Sequence, residues 1–410
     1  MTVGALGYGL SALARSKQHS QSIPSIRSIL SILSTENIMA GEIRPIDHLQ
    51  VFQHRGGLHR TRRALESGRL TIGFTGGSIT DPRPGYTWPE PAIAWFVERF
   101  PQAHISVENA AIGATGSELA VFRARRELID RGCDIVFIEF AVNDNGEPAE
   151  KRMRTREGLI RKLLAEERDI VLAYVYGQGF YDDMMRGDVP ASIAEFEQLG
   201  RHYGIGSVWM GLHALREQMA GRMRWEEWLP DGVHPQNRGS LSYAQSVIAF
   251  LERELIAQPG TAVIPAGDKL PPPLNPRNWE HARVLPFSEV KLTGPWTLRR
   301  WHRVGWYDQV LSTAAVGAKL SFAFTGRGLS LGFDFGRTSS EFRWRLDGGE
   351  WQLSKRDRPF WVGPDGWFRV TSIADDLPAG EHSFELEVIH GNAEGCEGTN
   401  CNIGMIGVVG

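Results

Sequence analysis

Leu70-Thr71-Ile72-Gly73-Phe74 is followed, after Thr75, by Gly76-Gly77-Ser78-Ile79-Thr80. The first run is apolar, short and β-prone, and reads as a strand. The two glycines let the chain turn sharply without a Cβ clash, so a serine hydroxyl and its amide are presented at the strand's carboxyl end. The pattern recurs downstream in His104-Ile105-Ser106-Val107-Glu108, Asp134-Ile135-Val136-Phe137-Ile138-Glu139, Asp169-Ile170-Val171-Leu172-Ala173-Tyr174 and Gly206-Ser207-Val208-Trp209-Met210. Helical patterns separate these runs, at Trp88 to Phe100, Glu118 to Arg131, Thr155 to Glu167, Pro190 to Tyr203 and Gly239 to Glu254. Alternation of this kind predicts βαβ units and a parallel sheet covered on both faces, with ligands beyond the carboxyl ends of the strands.

The texture changes after residue 256. Seven prolines fall between Pro259 and Pro286, which predicts a stiff, extended linker over 257–285. Beyond it the period drops to two, in Lys319 to Phe324, Leu329 to Phe335, Phe342 to Leu346 and Ser383 to Ile389, with turn signals at Asp347-Gly348-Gly349 and Pro378-Ala379-Gly380. Short strands joined by such turns predict a β-sandwich over 286–410. Residues 1–40, without an acidic residue up to Ser34, read as a disordered tail or an over-extended start, which leaves 41–256 as the α/β domain.

Composition narrows the function classes. With 410 residues, 42% hydrophobic and 23% charged, the chain is globular in character. No apolar run reaches the roughly 20 residues of a membrane span. Forty-five Lys and Arg against 48 Asp and Glu leave a net charge of −3, with no basic stripe that would suggest nucleic acid. No metal-binding spacing occurs, so neither metal nor cofactor is expected. Cys133 reads as a core thiol; Cys396 and Cys401 could pair only in an oxidising compartment. A cytoplasmic location is favoured, with periplasmic or secreted placement open, and the oligomeric state is not legible.

Four segments carry chemistry. Ser78 follows the first strand. Asn109-Ala110-Ala111-Ile112-Gly113-Ala114-Thr115-Gly116 follows the second and can aim a backbone N–H. Ala141-Val142-Asn143-Asp144 follows the third, and Asp231-Gly232-Val233-His234-Pro235 precedes the last helix. A serine hydroxyl needs a neighbouring base, and an imidazole serves when a carboxylate holds its other nitrogen. Asp231 and His234, three apart in one loop, meet that need.

In these four blocks the sequence resembles the SGNH, or GDSL-type, hydrolase superfamily, over roughly Arg69 to Glu254. The resemblance implies a flavodoxin-like three-layer α/β/α domain, here followed by a jelly-roll-like β-sandwich. It implies Ser78 as nucleophile, His234 as base and Asp231 as its orienting carboxylate. The oxyanion hole is implied to be formed by Ser78, Asn143 and either Gly113 or Ala114. Gly77 stands where the family name has Asp, and Ala141 where Gly is usual. His54, His59, His202 and His213 are weaker candidates for the base, and Asp144 reads as a cap more readily than as a substrate ligand.

Thirteen tryptophans suit a sugar substrate as well as a core. Trp88 and Trp228 are candidates for stacking on a sugar ring, and Trp225 lies on the same approach. The leading expectation is a serine esterase that deacetylates O-acetylated carbohydrate, its partner a small-molecule or oligosaccharide ester. The alternatives are a glycan O-acetyltransferase, or a glycan-binding protein with a vestigial hydrolase domain. A nucleotide-binding role is disfavoured because the first loop lacks Gly-x-Gly-x-x-Gly.

Overall fold

The computed structural model describes residues 44–82, 87–257, 269–300, 306–354, 367–392 and 396–410. The expected tail over 1–40 lies outside them, as do residues 258–268 of the expected linker.

The α/β part is built on β1 (Phe52–Gln53), β2 (Arg69–Gly76), β3 (His104–Asn109), β4 (Ile135–Glu139), β5 (Asp169–Ala173) and β6 (Gly206–Val208). They lie in the order β1-β6-β5-β4-β2-β3, parallel except for the edge strand β1. Every residue of β4 and β5 is buried, which is why both read as apolar runs but for one terminal acid each, Glu139 and Asp169. Helices α1 (His59–Glu66), α2 (Pro89–Arg99), α3 (Ser117–Ala124), α4 (Ala149–Ala165), α5 (Tyr181–Arg186), α6 (Ala191–Tyr203), α7 (Met210–Met219), α8 (Trp225–Trp228) and α9 (Asn237–Glu252) connect and cover the strands. From β2 the chain adds β3 on one side and then crosses to β4 on the other, the flavodoxin-like order. The strand ends at this switch point form the crevice in which such sheets bind ligands.

Two predicted elements end differently, and the edge strand β1 was not among the predicted ones. The fifth predicted strand stops at Val208, and Met210 opens α7. Gly211 makes this possible, because a Cβ there would lie 2.4 Å from the Tyr176 nitrogen. The helix expected to run to Arg131 turns after Ala124 into a wider π-helical turn, Arg125–Ile129.

The C-terminal part is an antiparallel sandwich. Its strands are β7 (Arg283–Val284), β8 (Lys291–Thr293), β9 (Thr297–Arg300), β10 (Gln309–Thr313), β11 (Lys319–Gly326), β12 (Gly328–Phe335), β13 (Glu341–Leu346), β14 (Gln352–Leu353), β15 (Trp367–Ala374), β16 (Gly380–Ile389) and β17 (Cys401–Val409). One sheet runs β15-β12-β17-β10-β9, the other β14-β13-β16-β11-β8. From β10 to β17 the chain switches between these sheets in the jelly-roll order. Along β16, His382, Phe384, Leu386 and Val388 point inward in strict alternation. Asp347 and Gly348, at φ 49° and 68°, make the left-handed turn after β13, closed by a 2.8 Å bond from Gly349 N–H to the Leu346 carbonyl.

The described part of the proline-rich segment lies along α4. Both Glu157 carboxylate oxygens accept backbone N–H bonds, from Leu274 at 2.6 Å and Asn275 at 2.8 Å. Arg161 reaches Glu280 at 2.6 Å and the Pro271 carbonyl at 2.8 Å. Trp279 is buried over Gly158, where a Cβ would stand 2.4 Å from the Trp279 carbonyl carbon. The sandwich is tied to the helices directly as well, through Arg154 to Asp375 at 2.8 Å and Ser330 to Glu118 at 2.9 Å.

Candidate active site

Ser78 stands in the turn that ends β2, closed by bonds from Thr80 and Asp81 N–H to the Gly77 carbonyl at 3.2 and 3.0 Å. His234 comes from the loop between α8 and α9. Gly232 adopts φ 79° there, and the Asp231 Oδ1 accepts the N–H groups of Val233 at 2.9 Å and His234 at 2.7 Å. The loop thereby folds His234 back over Asp231, whose Oδ2 takes the imidazole Nδ1–H at 2.7 Å. That leaves Nε2 as an acceptor, and the Ser78 hydroxyl donates to it at 2.8 Å. Hydroxyl, imidazole and carboxylate thus meet in one relay from residues 156 positions apart. Partial burial pushes the Asp231 pKa up, but bonds from the His234 backbone and ring and from Val233 outweigh it and hold the carboxyl below its usual range. The relay faces solvent, with the His234 side chain 42% exposed.

The two oxyanion blocks lie beside it. Gly113 N–H is already donated to Asp81 at 2.8 Å. Ala114 sits at φ 58°, a left-handed conformation that explains why glycine suits this position. Among the described residues, neither the Ser78 and Ala114 N–H groups nor the Asn143 amide donates to a protein acceptor. The Asn143 amide rests on Gly77, where a Cβ would lie 2.0 Å from Oδ1. A side chain at position 77, aspartate included, would collide with it, which accounts for the glycine.

Sequence reasoning missed the layer beneath. Glu139, the last residue of β4, is fully buried; its Oε2 accepts from Gly77 N–H at 3.3 Å and from the Thr80 hydroxyl at 3.0 Å. Its other oxygen has no partner among the described residues. Burial, reinforced by the Asp144 charge, pushes this carboxyl up to about 8 against the two hydrogen bonds. A lone acid in an otherwise apolar strand was the available signal. Asp144 is buried, and its carboxylate is engaged by Ser117 at the start of α3 and by Arg156.

Both candidate stacking tryptophans are corrected by burial. Trp88 and Trp228 have no exposed surface; Trp88 donates to Thr80 at 2.9 Å and Trp228 to Tyr243 at 3.3 Å. Flanking aromatics such as Phe74, Phe137 and Tyr176 complete their packing. Trp225 is half-buried. An aromatic near the crevice comes instead from the sandwich: a cavity of about 150 Å³ runs from Ala114 and Asn143 to Trp367 and Arg369 of β15. His202 bonds the Pro272 carbonyl and His54 pairs with Glu254, so neither serves Ser78. Among the described residues no three His, Cys, Asp or Glu side chains gather to hold a metal, and no helix is long and apolar enough to cross a membrane.

A two-domain esterase active on acetylated mannans, solved with mannopentaose, superimposes with a TM-score of 0.72 at 22% identity, covering 87% of this chain and 96% of that one. Its structure without that ligand gives 0.71 over the same shares. The chain has the same two-domain fold. An acetylxylan esterase from Geobacillus stearothermophilus matches at 17% identity and a TM-score of 0.40, over 44% of this chain and 94% of that one. No family model and no curated protein matches the sequence.

Proposed function

We propose that the protein is a serine esterase of the SGNH type that removes acetyl groups from O-acetylated carbohydrate. The relay Ser78–His234–Asp231 at the switch point of the sheet carries this reading. The shared fold of an esterase active on acetylated mannans supports the substrate class.

The Ser78 oxygen attacks the acetyl carbonyl carbon as its proton passes to His234 Nε2. Asp231 stabilises the imidazolium and fixes its tautomer. The Ser78 and Ala114 N–H groups and the Asn143 amide take the developing oxyanion, each such donor lowering the barrier by roughly 2.7–4 kcal/mol. Collapse breaks the bond to the sugar oxygen, which leaves with the imidazolium proton. Water then attacks the acyl-enzyme by the same route and acetate departs. The His234 side chain is 42% exposed, so that water reaches it directly. Gly113 is the lesser candidate for the oxyanion, its N–H being held by Asp81.

Purified protein is expected to release acetate from acetylated manno- or xylo-oligosaccharides, and Ser78→Ala to lower turnover about a million-fold. Absence of acetate release from any acetylated sugar or short acyl ester would refute the reading.

A further inference from the structure

Arg156 has no exposed surface, although it carries a charge that is costly to bury. Each of its nitrogens donates: Nε to Asp144 Oδ2 at 2.8 Å, one terminal nitrogen to the Ser192 carbonyl at 2.9 Å and to Glu195 at 3.2 Å, and the other to the Ser192 hydroxyl at 2.7 Å. The Ser192 hydroxyl donates in turn to the Ala141 carbonyl at 2.6 Å, at the start of the Asn143 loop. Asp144 Oδ1 accepts Ser117 N–H at 2.9 Å, and Oδ2, besides Arg156, accepts the Ser117 hydroxyl at 2.8 Å. Ser117 opens α3, three residues after Ala114. Gly116 lies so close that a Cβ would stand 2.3 Å from Asp144 Oδ1. One buried carboxylate therefore joins the loop that carries Ala114 to the loop that carries Asn143, and one buried guanidinium holds that carboxylate against α4 and α6.

We propose that Asp144, anchored by Arg156, is a positioning residue that sets the Ala114 N–H and the Asn143 amide at the mutual spacing an oxyanion requires. The inference rests on the esterase reading above and adds to it a pair that touches no substrate. A cap on α3 needs only an acceptor for Ser117. It does not need a fully desolvated arginine that also grips the base of the Asn143 loop. Hydrogen-bond donors stabilise an oxyanion only when they converge on one point, so loosening the joint lowers turnover more than binding.

The test compares Asp144→Asn, Ser117→Ala and Arg156→Lys with wild type on an acetyl ester and on its thionoester, in which sulfur replaces the carbonyl oxygen. Sulfur is a larger and weaker acceptor, so a well-set oxyanion hole favours the oxygen ester. Asp144→Asn is expected to lower kcat on the oxygen ester by about 100-fold, the loss typical of one oxyanion donor, with KM little changed. It should act far less on the thionoester, so the oxygen-to-sulfur rate ratio falls. Ser117→Ala keeps the buried ion pair and gives a smaller fall of the same sign, which decides the matter if Asp144→Asn does not fold. A lowered melting temperature with an unchanged oxygen-to-sulfur ratio in the folded variants would show a cap alone and overturn the proposal. Wild-type protein inactive on both esters would instead overturn the esterase reading itself.

Discussion

Glu139 shows how a single side chain beneath the nucleophile couples the site to pH. Its carboxyl, raised to about 8 by burial, keeps its proton in the folded chain at pH values where the unfolded chain has released it. The folded state then binds more protons, so this group's contribution to stability is whole below about pH 4.5 and declines as pH climbs towards 8. Glu139→Gln keeps an acceptor for Gly77 and Thr80 while removing the titration. Its melting temperature relative to wild type is expected to rise from about pH 5 to about pH 8, by an amount worth a few kcal/mol, and a constant difference would refute this. The residues of the candidate relay were legible in sequence because such chemistry leaves characteristic neighbours: a serine behind glycines, an Asp three before a His. Those that hold them, Glu139, Asp81 and Arg156, find their partners only through the fold, and no spacing announces them. Trp88 and Trp228 were misread because an aromatic near a motif in sequence carries no sign of which way it faces.

At the scale of elements, β2 to β6 and β11, β12, β13 and β16 were read from the sequence, whereas β1, β10, β15 and β17 among others were not. β4 and β5 are apolar but for one terminal acid each, Glu139 and Asp169, because helices cover both faces, and β16 alternates because one face is wet, so each kind of burial left its period in the sequence. Helix α7 left no such trace, since it is admitted by a glycine whose role is the close passage of Tyr176. Helix α4 illustrates the same physics. Glycine inside a helix is usually worse than alanine by about 1 kcal/mol, so Gly158→Ala on an isolated α4 would be stabilising. In this chain the added carbon meets the Trp279 backbone, and overpacking of that kind costs typically 1–3 kcal/mol. Gly158→Ala is therefore expected to lower the melting temperature; a rise would show that the segment after residue 270 is not held against the helix.

Over the whole molecule, the two parts share too many ties to behave as separate bodies. Arg154 reaches Asp375, Glu118 receives Ser330, and the ring of Phe122 fills the space left by Gly407. Calorimetry is expected to show one cooperative heat-unfolding transition, and two resolved peaks would contradict this account of the interface. A stiff spacer was the natural reading of the prolines, since composition reports stiffness and not what the stretch lies against. The narrow gap between the oxyanion loops and β15 has a further bearing. One wall of the cavity lined by Ala114 and Asn143 belongs to a strand encoded more than 130 residues beyond His234. Under the proposed esterase reading, substitutions in that remote strand would remodel the choice of glycan while the Ser78–His234–Asp231 relay stays untouched, which makes the sandwich the place to begin redesigning selectivity.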